Sequence, residues 1–225
     1  MATTEFSVAK PPSGVGLDGV RKAAMQCRAC PLWEPATQTV FGKGPADARV
    51  VFVGEQPGDV EDRKGEPFVG PAGKLLDRAL VDAGIDRDET YVTNAVKHFR
   101  FTQSGKRRLH QTPGPEHVAA CRPWLDAQIR LVDPRVVVTL GNFAAKTLLE
   151  TTTGITRLRG QTYPFQGRVL LPTFHPAAAL HAQGRRTAGP SPLEAMEGDF
   201  KVLAELLAAR APVDDDRPTE QLGLF

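Results

Sequence analysis

The chain has 225 residues, 41% of them hydrophobic and 24% charged, which is the composition of an ordinary globular protein. This length fits one substantial domain and is too short for two large ones, and no apolar run is long enough to cross a bilayer. A net charge of +2 is too small to indicate nucleic-acid binding by itself, so any basic surface must be local. Because no charged and apolar leader opens the chain, we expect a cytoplasmic protein.

Short apolar runs alternate with helical patterns along the middle of the chain. Runs rich in β-branched residues predict four strands, at 49–56, 90–96, 135–141 and 168–176. Apolar residues three and four positions apart predict helices at 70–85, 115–132, 142–150 and 193–209. This alternation predicts an α/β domain of three layers, with a parallel four-stranded central sheet covered on both faces.

The two ends differ in composition from the middle. Residues 1–15 are rich in Pro, Gly, Ser and Thr and predict a flexible arm. Residues 211–225 contain Pro and three consecutive aspartates and predict a flexible tail. Residues 16–210 are therefore the single predicted domain, and since nothing in the sequence demands a dimer, we expect a monomer.

Each predicted strand ends in polar residues. GEQPGD (54–59) follows the first strand, Asn94 ends the second, Gly141 and Asn142 follow the third, and His175 ends the fourth. Because ligands of open parallel sheets bind beyond the carboxyl ends of the strands, this convergence predicts a functional site. The alternative for the first segment is a glycine-rich, acidic loop that is only solvated.

A basic segment follows the second strand and ends in a histidine. KHFRFTQSGKRRLHQTPG (97–114) predicts a loop with Lys106, Arg107 and Arg108 shortly before His110. Such a triplet neutralises DNA phosphates or forms a solvated patch. His110 could then contact phosphate, pack in the core or take part in chemistry, and the residues alone leave these alternatives open.

Three cysteines are an odd number, which argues against a secreted disulfide framework. Cys27 and Cys30 form a C-R-A-C pair, and in a cytoplasmic protein this spacing favours a metal site or a redox pair. The third, Cys121, lies in the predicted helix 115–132.

Four segments in this order resemble the uracil-DNA glycosylase superfamily: GEQPGDVEDRKGEPFVGPAGKLL (54–76), YVTNAVKH (91–98), CRPWL (121–125) and HPAAAL (175–180). The resemblance covers roughly residues 20–181 and is closest to the iron–sulfur family 4 type. It implies the superfamily's αβα fold with a 4Fe-4S cluster. It also implies uracil-containing DNA, single-stranded and double-stranded, as the substrate.

The resemblance further implies a ligand set for the cluster. Family 4 uses four cysteines, and this chain supplies Cys27, Cys30 and Cys121, while His98 stands at the fourth position. Imidazole can replace thiolate on iron, and three cysteines with one histidine also suit zinc. The alternative is that His98 is only a loop histidine.

The histidine at the cluster position, the Gln of GEQPG and the basic segment resemble the UdgX subgroup, whose members become covalently attached to DNA. The resemblance implies that His110 captures the sugar, which is oxocarbenium-like once uracil leaves as an anion. It implies catalytic roles for Glu55, Gln56, His110 and His175, substrate-binding roles for Gly54, Asp59, Glu61, Phe68 and Asn94, and DNA contacts for Lys106, Arg107 and Arg108.

Two alternatives remain open for the function. In a conventional glycosylase, water would capture the sugar and His110 would only touch DNA. A non-catalytic uracil or abasic DNA-binding protein is the second alternative. Ala177 and Ala178 keep it open, because they lack the two hydroxyls that the subgroup carries beside the flipped nucleotide.

Overall fold

The computed structural model describes residues 5–182 and 189–209, so the predicted tail at 211–225 lies outside the described residues. The strands are β1 (Val50–Gly54), β2 (Thr90–Asn94), β3 (Phe101–Ser104), β4 (Arg107–His110), β5 (Val136–Leu140), β6 (Tyr163–Phe165) and β7 (Arg168–Thr173). The helices are α1 (Leu17–Ala24), α2 (Asp59–Lys64), α3 (Pro71–Asp82), α4 (Pro115–Val132), α5 (Gly141–Leu149), α6 (Ile155–Leu158), α7 (Pro176–Ala182) and α8 (Pro192–Ala208). None of these helices is long and apolar enough to cross a membrane.

The central sheet has five strands in the order β2-β1-β5-β7-β6. The first four are parallel, as predicted, but β6 pairs antiparallel with β7 and corrects the expected four-stranded sheet to five. A two-residue turn joins them, with Gln166 and Gly167 both at positive φ, as a type I′ hairpin requires. Pro164 is tolerated in β6 because an edge strand has one unpaired side.

Successive side chains of each strand lie on opposite faces of the sheet. Val51 and Val53 of β1 join one core with α1, α4 and α5. Val50 and Phe52 join the other core with α3 and α8. Because both faces are covered, the strands are apolar throughout, and the predicted three-layer α/β/α architecture is confirmed.

The predicted strands are too long at their carboxyl ends. Ladder pairing stops at Gly54, Asn94, Leu140 and Thr173. The register pairs Gly54 with Asn94 and Leu140 with Thr173, so these ends lie along one edge. The polar segments that follow them are therefore brought together at this edge.

The basic segment is a hairpin and not a loop. Strands β3 and β4 pair antiparallel, with Phe101 opposite His110 and Ser104 opposite Arg107. Gly105 begins the two-residue turn at φ 57°, a conformation that glycine adopts without strain. His110 is therefore the last residue of a strand, at the base of the hairpin.

Part of the segment predicted as a flexible arm contacts the domain. Ser7 donates a backbone hydrogen bond to Ala29 O at 2.8 Å, and Ala9 donates one to Ala120 O at 2.9 Å. These two acceptors directly precede Cys30 and Cys121 in the sequence. The described part of the arm thus joins the C-R-A-C segment to helix α4.

A buried carboxylate attaches α8 to the end of β7. Asp199 accepts hydrogen bonds from Thr173 Oγ1 at 2.6 Å and from Arg159 Nη2 at 2.6 Å. Arg159 also donates to Ala195 O, so a single guanidinium binds two turns of α8. Thr173 lies two residues before His175, and this network therefore supports the segment that carries His175.

Replacing Asp199 should destabilise the fold more than replacing a similar surface partner. We expect Asp199→Asn to lower the free energy of unfolding by about 2–4 kcal/mol, because it leaves the Arg159 guanidinium without its buried counter-charge. Asp77→Asn removes the half-exposed partner of Arg87 and should cost less than about 1 kcal/mol. Urea denaturation measures both, and equal losses would contradict the structural role given to Asp199.

Candidate active site

A cavity of about 560 Å³ opens at the carboxyl ends of β1 and β2. Seven of the residues predicted from the sequence line it: Glu55, Gln56, Glu61, Phe68, Asn94, His110 and His175. Gly58, Ala72, Ala177, Ala178 and His181 complete the lining. The structure therefore brings most of the predicted catalytic and base-binding residues into one cavity, but Gly54, Asp59 and the three basic residues of the hairpin do not line it.

Gly54 makes room at the inner end of this cavity. A β-carbon on Gly54 would lie 2.3 Å from Asn94 Oδ1 and 2.7 Å from Phe68 Cζ. Both distances are shorter than van der Waals contact. Any larger residue would displace the Asn94 amide or the Phe68 ring, so Gly54 acts through the space it leaves and not through a polar group.

The Phe68 ring forms one wall of the cavity. Its backbone has a φ of 55°, which is rare for an aromatic residue, and such conformations persist where surrounding structure imposes them. Glu61 Oε1 accepts a hydrogen bond from Gly70 N at 2.7 Å, which closes the segment carrying Phe68 against α2. The His175 ring lies 6.0 Å away between centroids.

His175 is a neutral hydrogen-bond donor. Burial lowers the pKa of His175 to about 4, with a smaller contribution from His110. Its Nδ1 accepts a hydrogen bond from the Ala177 backbone N–H at 3.1 Å. The proton of the neutral ring must therefore be on Nε2, and the imidazole can donate from Nε2 to a ligand.

His110 and Glu55 face each other at the mouth of the cavity. His110 Nε2 lies 3.6 Å from Glu55 Oε1, which makes no hydrogen bond with any described residue. Burial raises the pKa of Glu55, and a hydrogen bond from Thr112 offsets part of this effect. Burial also lowers the pKa of His110, which favours the neutral imidazole that a nucleophile or base requires.

Gln56 closes the base of the hairpin. Its Oε1 accepts from Arg100 N at 2.8 Å, and its Nε2 donates to Gln111 O at 2.9 Å and to Arg100 O at 3.2 Å. Arg100 and Gln111 flank the hairpin, so the amide joins its two ends. Gln56 thus anchors the base of the hairpin, and its predicted catalytic role stays a prediction.

The Arg108 side chain is largely engaged in ion pairs within the protein, so its predicted DNA contact stays a prediction. Its side chain is 10% exposed, and Arg108 Nη1 donates to Asp62 Oδ2 at 2.7 Å. Its Nε binds Asp59, and the guanidinium packs over the Phe101 ring. Asp59, predicted to bind substrate, is thus a partner of this ion pair, because two carboxylates of α2 neutralise the arginine. Lys106 and Arg107 are exposed and remain available to phosphate.

The sequence matches the family model of the uracil DNA glycosylase superfamily over residues 41–201. This chain belongs to the uracil-DNA glycosylase superfamily. It is 35% identical over 199 residues to a type-4 uracil-DNA glycosylase of Sulfurisphaera tokodaii, a match that covers 84% of each chain. A type-4 enzyme of Archaeoglobus fulgidus is 38% identical, with 87% of this chain and 96% of the relative covered. One of Thermotoga maritima is 40% identical, with 72% and 81% covered.

The three cysteines of this superfamily member lie in the same core cluster, between α1, α4 and the end of β2. Cys121 Sγ accepts from Lys97 N at 3.3 Å, and Cys27 Sγ accepts from Trp124 Nε1 at 3.2 Å. Such N–H donors commonly surround cluster-bound thiolates. In residues 5–182 and 189–209, however, no group of three or more Cys, His, Asp and Glu side chains is arranged to hold a metal ion.

His98 is buried and directly follows Lys97, whose backbone N–H donates to Cys121 Sγ. Thr39 Oγ1 donates to Ala24 O at 3.2 Å and lies 2.9 Å from His98 Nε2. Since the hydroxyl proton is directed to Ala24, Thr39 accepts from Nε2–H, which leaves the Nδ1 of His98 unprotonated. Burial lowers the pKa of His98 to about 4. A neutral imidazole with one nitrogen held by a second group is the form that metal ligands take, so the chemistry of the donor set fits.

The sequence pattern did not reveal the roles of Asp62 and of the residue that supports Asn94. Asp62 is fully buried and accepts both Arg108 and the Thr37 backbone N–H, but its position among several acidic residues concealed it. Lys97 Nζ is also buried and donates to the carbonyl oxygen of Asn94 at 2.6 Å and to Gln128 Oε1 at 2.5 Å. A lysine directly after an apolar strand was the available signal.

Arg108 and its neighbour Arg107 provide a test of the hairpin's attachment. We expect Arg108→Gln to lower the free energy of unfolding by about 2–4 kcal/mol, because the buried Asp62 carboxylate loses its counter-charge. Amides of residues 101–110 should exchange hydrogen faster. The exposed Arg107→Gln should change stability by less than about 0.5 kcal/mol. Equal stability and equal hydrogen exchange in the two variants would refute this role of Arg108.

Proposed function

We propose that this protein excises uracil from DNA and is then captured covalently on the abasic sugar through His110. The observation that carries the proposal is the His110–Glu55 pair, 3.6 Å apart, in the same cavity as Asn94 and His175. Type-4 uracil-DNA glycosylases that this chain covers over most of their length support the excision step. Capture is the finer part of the proposal.

Base recognition uses the inner end of the cavity. The Asn94 amide carries one donor and one acceptor that can pair with the uracil edge and not with the pattern of cytosine. Phe68 stacks on the flipped base, as aromatic residues do in enzymes that take a base out of the stack. Glu61 lines the same cavity and would stand near the 5 position of the base, where it excludes the thymine methyl.

Cleavage breaks the bond between N1 of uracil and C1′ of deoxyribose. The bonding electrons leave with uracil, and negative charge develops on its carbonyl oxygens. His175 donates from Nε2 to this charge, which stabilises the transition state without requiring a charged imidazole. The positive charge remains on the sugar as an oxocarbenium-like centre.

Capture forms a bond between C1′ and a nitrogen of His110. The nitrogen lone pair supplies the electrons, and the proton on the other ring nitrogen passes to Glu55, whose Oε1 is buried and free to accept it. The product is a neutral glycosyl imidazole. Cleavage of this neutral adduct would have to expel the imidazole as an anion, which is unfavourable. The adduct should therefore persist, and each protein molecule should act once.

The same proposal includes an iron–sulfur cluster held by Cys27, Cys30, Cys121 and His98. When bound, the cluster would supply a covalent cross-link among the C-R-A-C segment, the residues after β2 and α4. The reaction described above needs no redox step. The chain's contribution is to direct the N–H groups of Lys97 and Trp124 at two of the sulfurs.

A denaturing gel tests capture directly. We expect an SDS- and heat-resistant band when the protein meets a labelled single-stranded oligonucleotide with one uracil, and none with thymine in its place. His110→Gly should abolish the band, because the bond to C1′ cannot form. Glu55→Gln should slow its formation by about 10²-fold or more, since proton acceptance is lost.

His181→Gly is the matched control, because His181 lines the same cavity and has no role in the reaction; its band should remain. An alkali-cleavable abasic product without a band would show a conventional glycosylase that uses water. No uracil release and no band, from folded protein, would show a binding protein. Repeating the assay with a duplex distinguishes single-stranded from double-stranded preference.

Iron analysis tests the cluster apart from activity. Protein purified without air should contain iron and sulfide and show a broad absorbance near about 400 nm. Cys121→Ser and His98→Ala should lose both. His98→Cys should keep them and lower the reduction potential, because imidazole ligation raises it. Bound zinc without iron would overturn this part of the proposal, as would a His98→Ala protein with unchanged iron and potential.

A further inference from the structure

A second cavity of about 640 Å³ adjoins the first. Glu55 and His175 line both, so the two cavities meet where the sugar of a flipped uridine would lie. The second cavity runs between the start of α4, with Thr112 to Ala119, and the start of α5, with Gly141 to Thr147. The uracil cavity is large enough for the base, so the reaction itself leaves this second space unused.

The lining of the second cavity combines apolar surface with a cationic rim. Pro113, Pro115, Val118 and Phe143 contribute apolar area, and Phe143 is a half-buried aromatic side chain packed against the core. Lys146 lies one turn of α5 after Phe143 and lines the same cavity. Arg122 also lines it, but its guanidinium binds Asp126 at 2.7 Å, which leaves Lys146 as the better contact for an anion.

We infer that this second cavity binds the nucleotide next to the uracil in the same DNA strand, with its base stacked on Phe143 and its phosphate beside Lys146. The inference rests on the proposed function. Continuity with the uracil cavity selects this occupant, because the neighbouring nucleotide is covalently joined to the sugar at the shared wall. Charge agrees, since a phosphate accompanies every nucleotide. Aromatic stacking is also the usual way in which proteins hold bases of a single strand.

Phe143 and Lys146 would contribute to binding in different ways. Phe143 gives binding energy that does not depend on the identity of the base, because every base has a π face. Lys146 gives binding that weakens with salt. The flanking nucleotide would hold the strand on one side of the sugar while Asn94 and Phe68 hold the uracil on the other. The sugar is then fixed at Glu55 and His110.

The test uses short single strands in which the uracil nucleotide is 2′-fluoro-2′-deoxyuridine, which resists cleavage, so that affinity is measured without chemistry. One oligonucleotide has both flanking bases, one lacks the 5′ base and one lacks the 3′ base, each replaced by a tetrahydrofuran abasic analogue. Fluorescence anisotropy gives Kd for the native protein, Phe143→Ala and Phe143→Leu. The leucine variant retains apolar volume in case alanine perturbs the fold.

We expect loss of one flanking base to raise the Kd of the native protein about tenfold, and both Phe143 variants to raise it by a similar factor with the intact strand. With the strand that lacks that base, the Phe143 variants should bind as well as the native protein. The inference fails if the Kd is unchanged whichever flanking base is removed. It also fails if the Phe143 variants raise the Kd by the same factor with and without that base.

Salt dependence tests Lys146 separately. Lys146→Gln should reduce the slope of log Kd against log salt by about one phosphate contact. Lys201→Gln, on the exposed face of α8 in the other helical layer, should leave the slope unchanged. Equal slopes for Lys146→Gln and the native protein would remove Lys146 from the site. Uracil release from an ordinary oligonucleotide is scored in parallel, so failure of the proposed function is seen independently of these affinities.

Discussion

The Arg108 guanidinium on strand β4 binds two carboxylates of helix α2, and the position of His110 depends on this contact. Asp62 is fully buried and the Arg108 side chain is 10% exposed, so removing either partner would leave the other without a counter-charge in a largely desolvated position. The hairpin is otherwise a two-stranded ribbon, and such ribbons are marginally stable alone. The Arg108 ion pair attaches the hairpin to α2, and the Gln56 amide joins the two ends of the hairpin. His110 lies two residues after Arg108 on the same strand. These contacts hold His110 at the cavity in the protein alone, without DNA.

Burial shifts the pKa values of the titratable groups in the cavity. It raises the pKa of Glu55, which makes the carboxylate a stronger proton acceptor, and it lowers those of His110 and His175, which favours neutral imidazoles. Excision separates charge, with an anion on uracil and a cation on the sugar. Two neutral imidazoles avoid the mutual repulsion that two imidazolium rings would have, and the Glu55 carboxylate lies beside the position where the cation develops. The backbone N–H of Ala177 completes this arrangement by directing the proton of His175 to Nε2.

The sequence was sufficient to predict the three layers, the four parallel strands and the meeting of Glu55, Asn94 and His175, because strand ends share an edge whatever the loops do. The sequence was insufficient to predict whether a given polar side chain is exposed to water or packed against the protein. Arg107 and Arg108 look equivalent in KRRLH, yet strand alternation turns Arg108 toward α2 and Arg107 toward solvent. Strand β6 was missed because three residues are too few to show an alternating pattern. Gln166-Gly167 was the turn signal that could have revealed it.

Ala177 and Ala178 line the cavity where hydroxyls could have held a flipped nucleotide, so these two residues of α7 offer DNA only backbone and methyl groups. Among the described residues, other cations near the cavities include Lys106 and Arg107 at the tip of the hairpin and Lys146 on α5. These two positions flank the His110–Glu55 pair from the hairpin side and the α4–α5 side. A DNA strand bound at both cationic positions would place its sugar beside the His110–Glu55 pair. Binding energy lost at α7 would then be recovered from contacts that also orient C1′ toward His110.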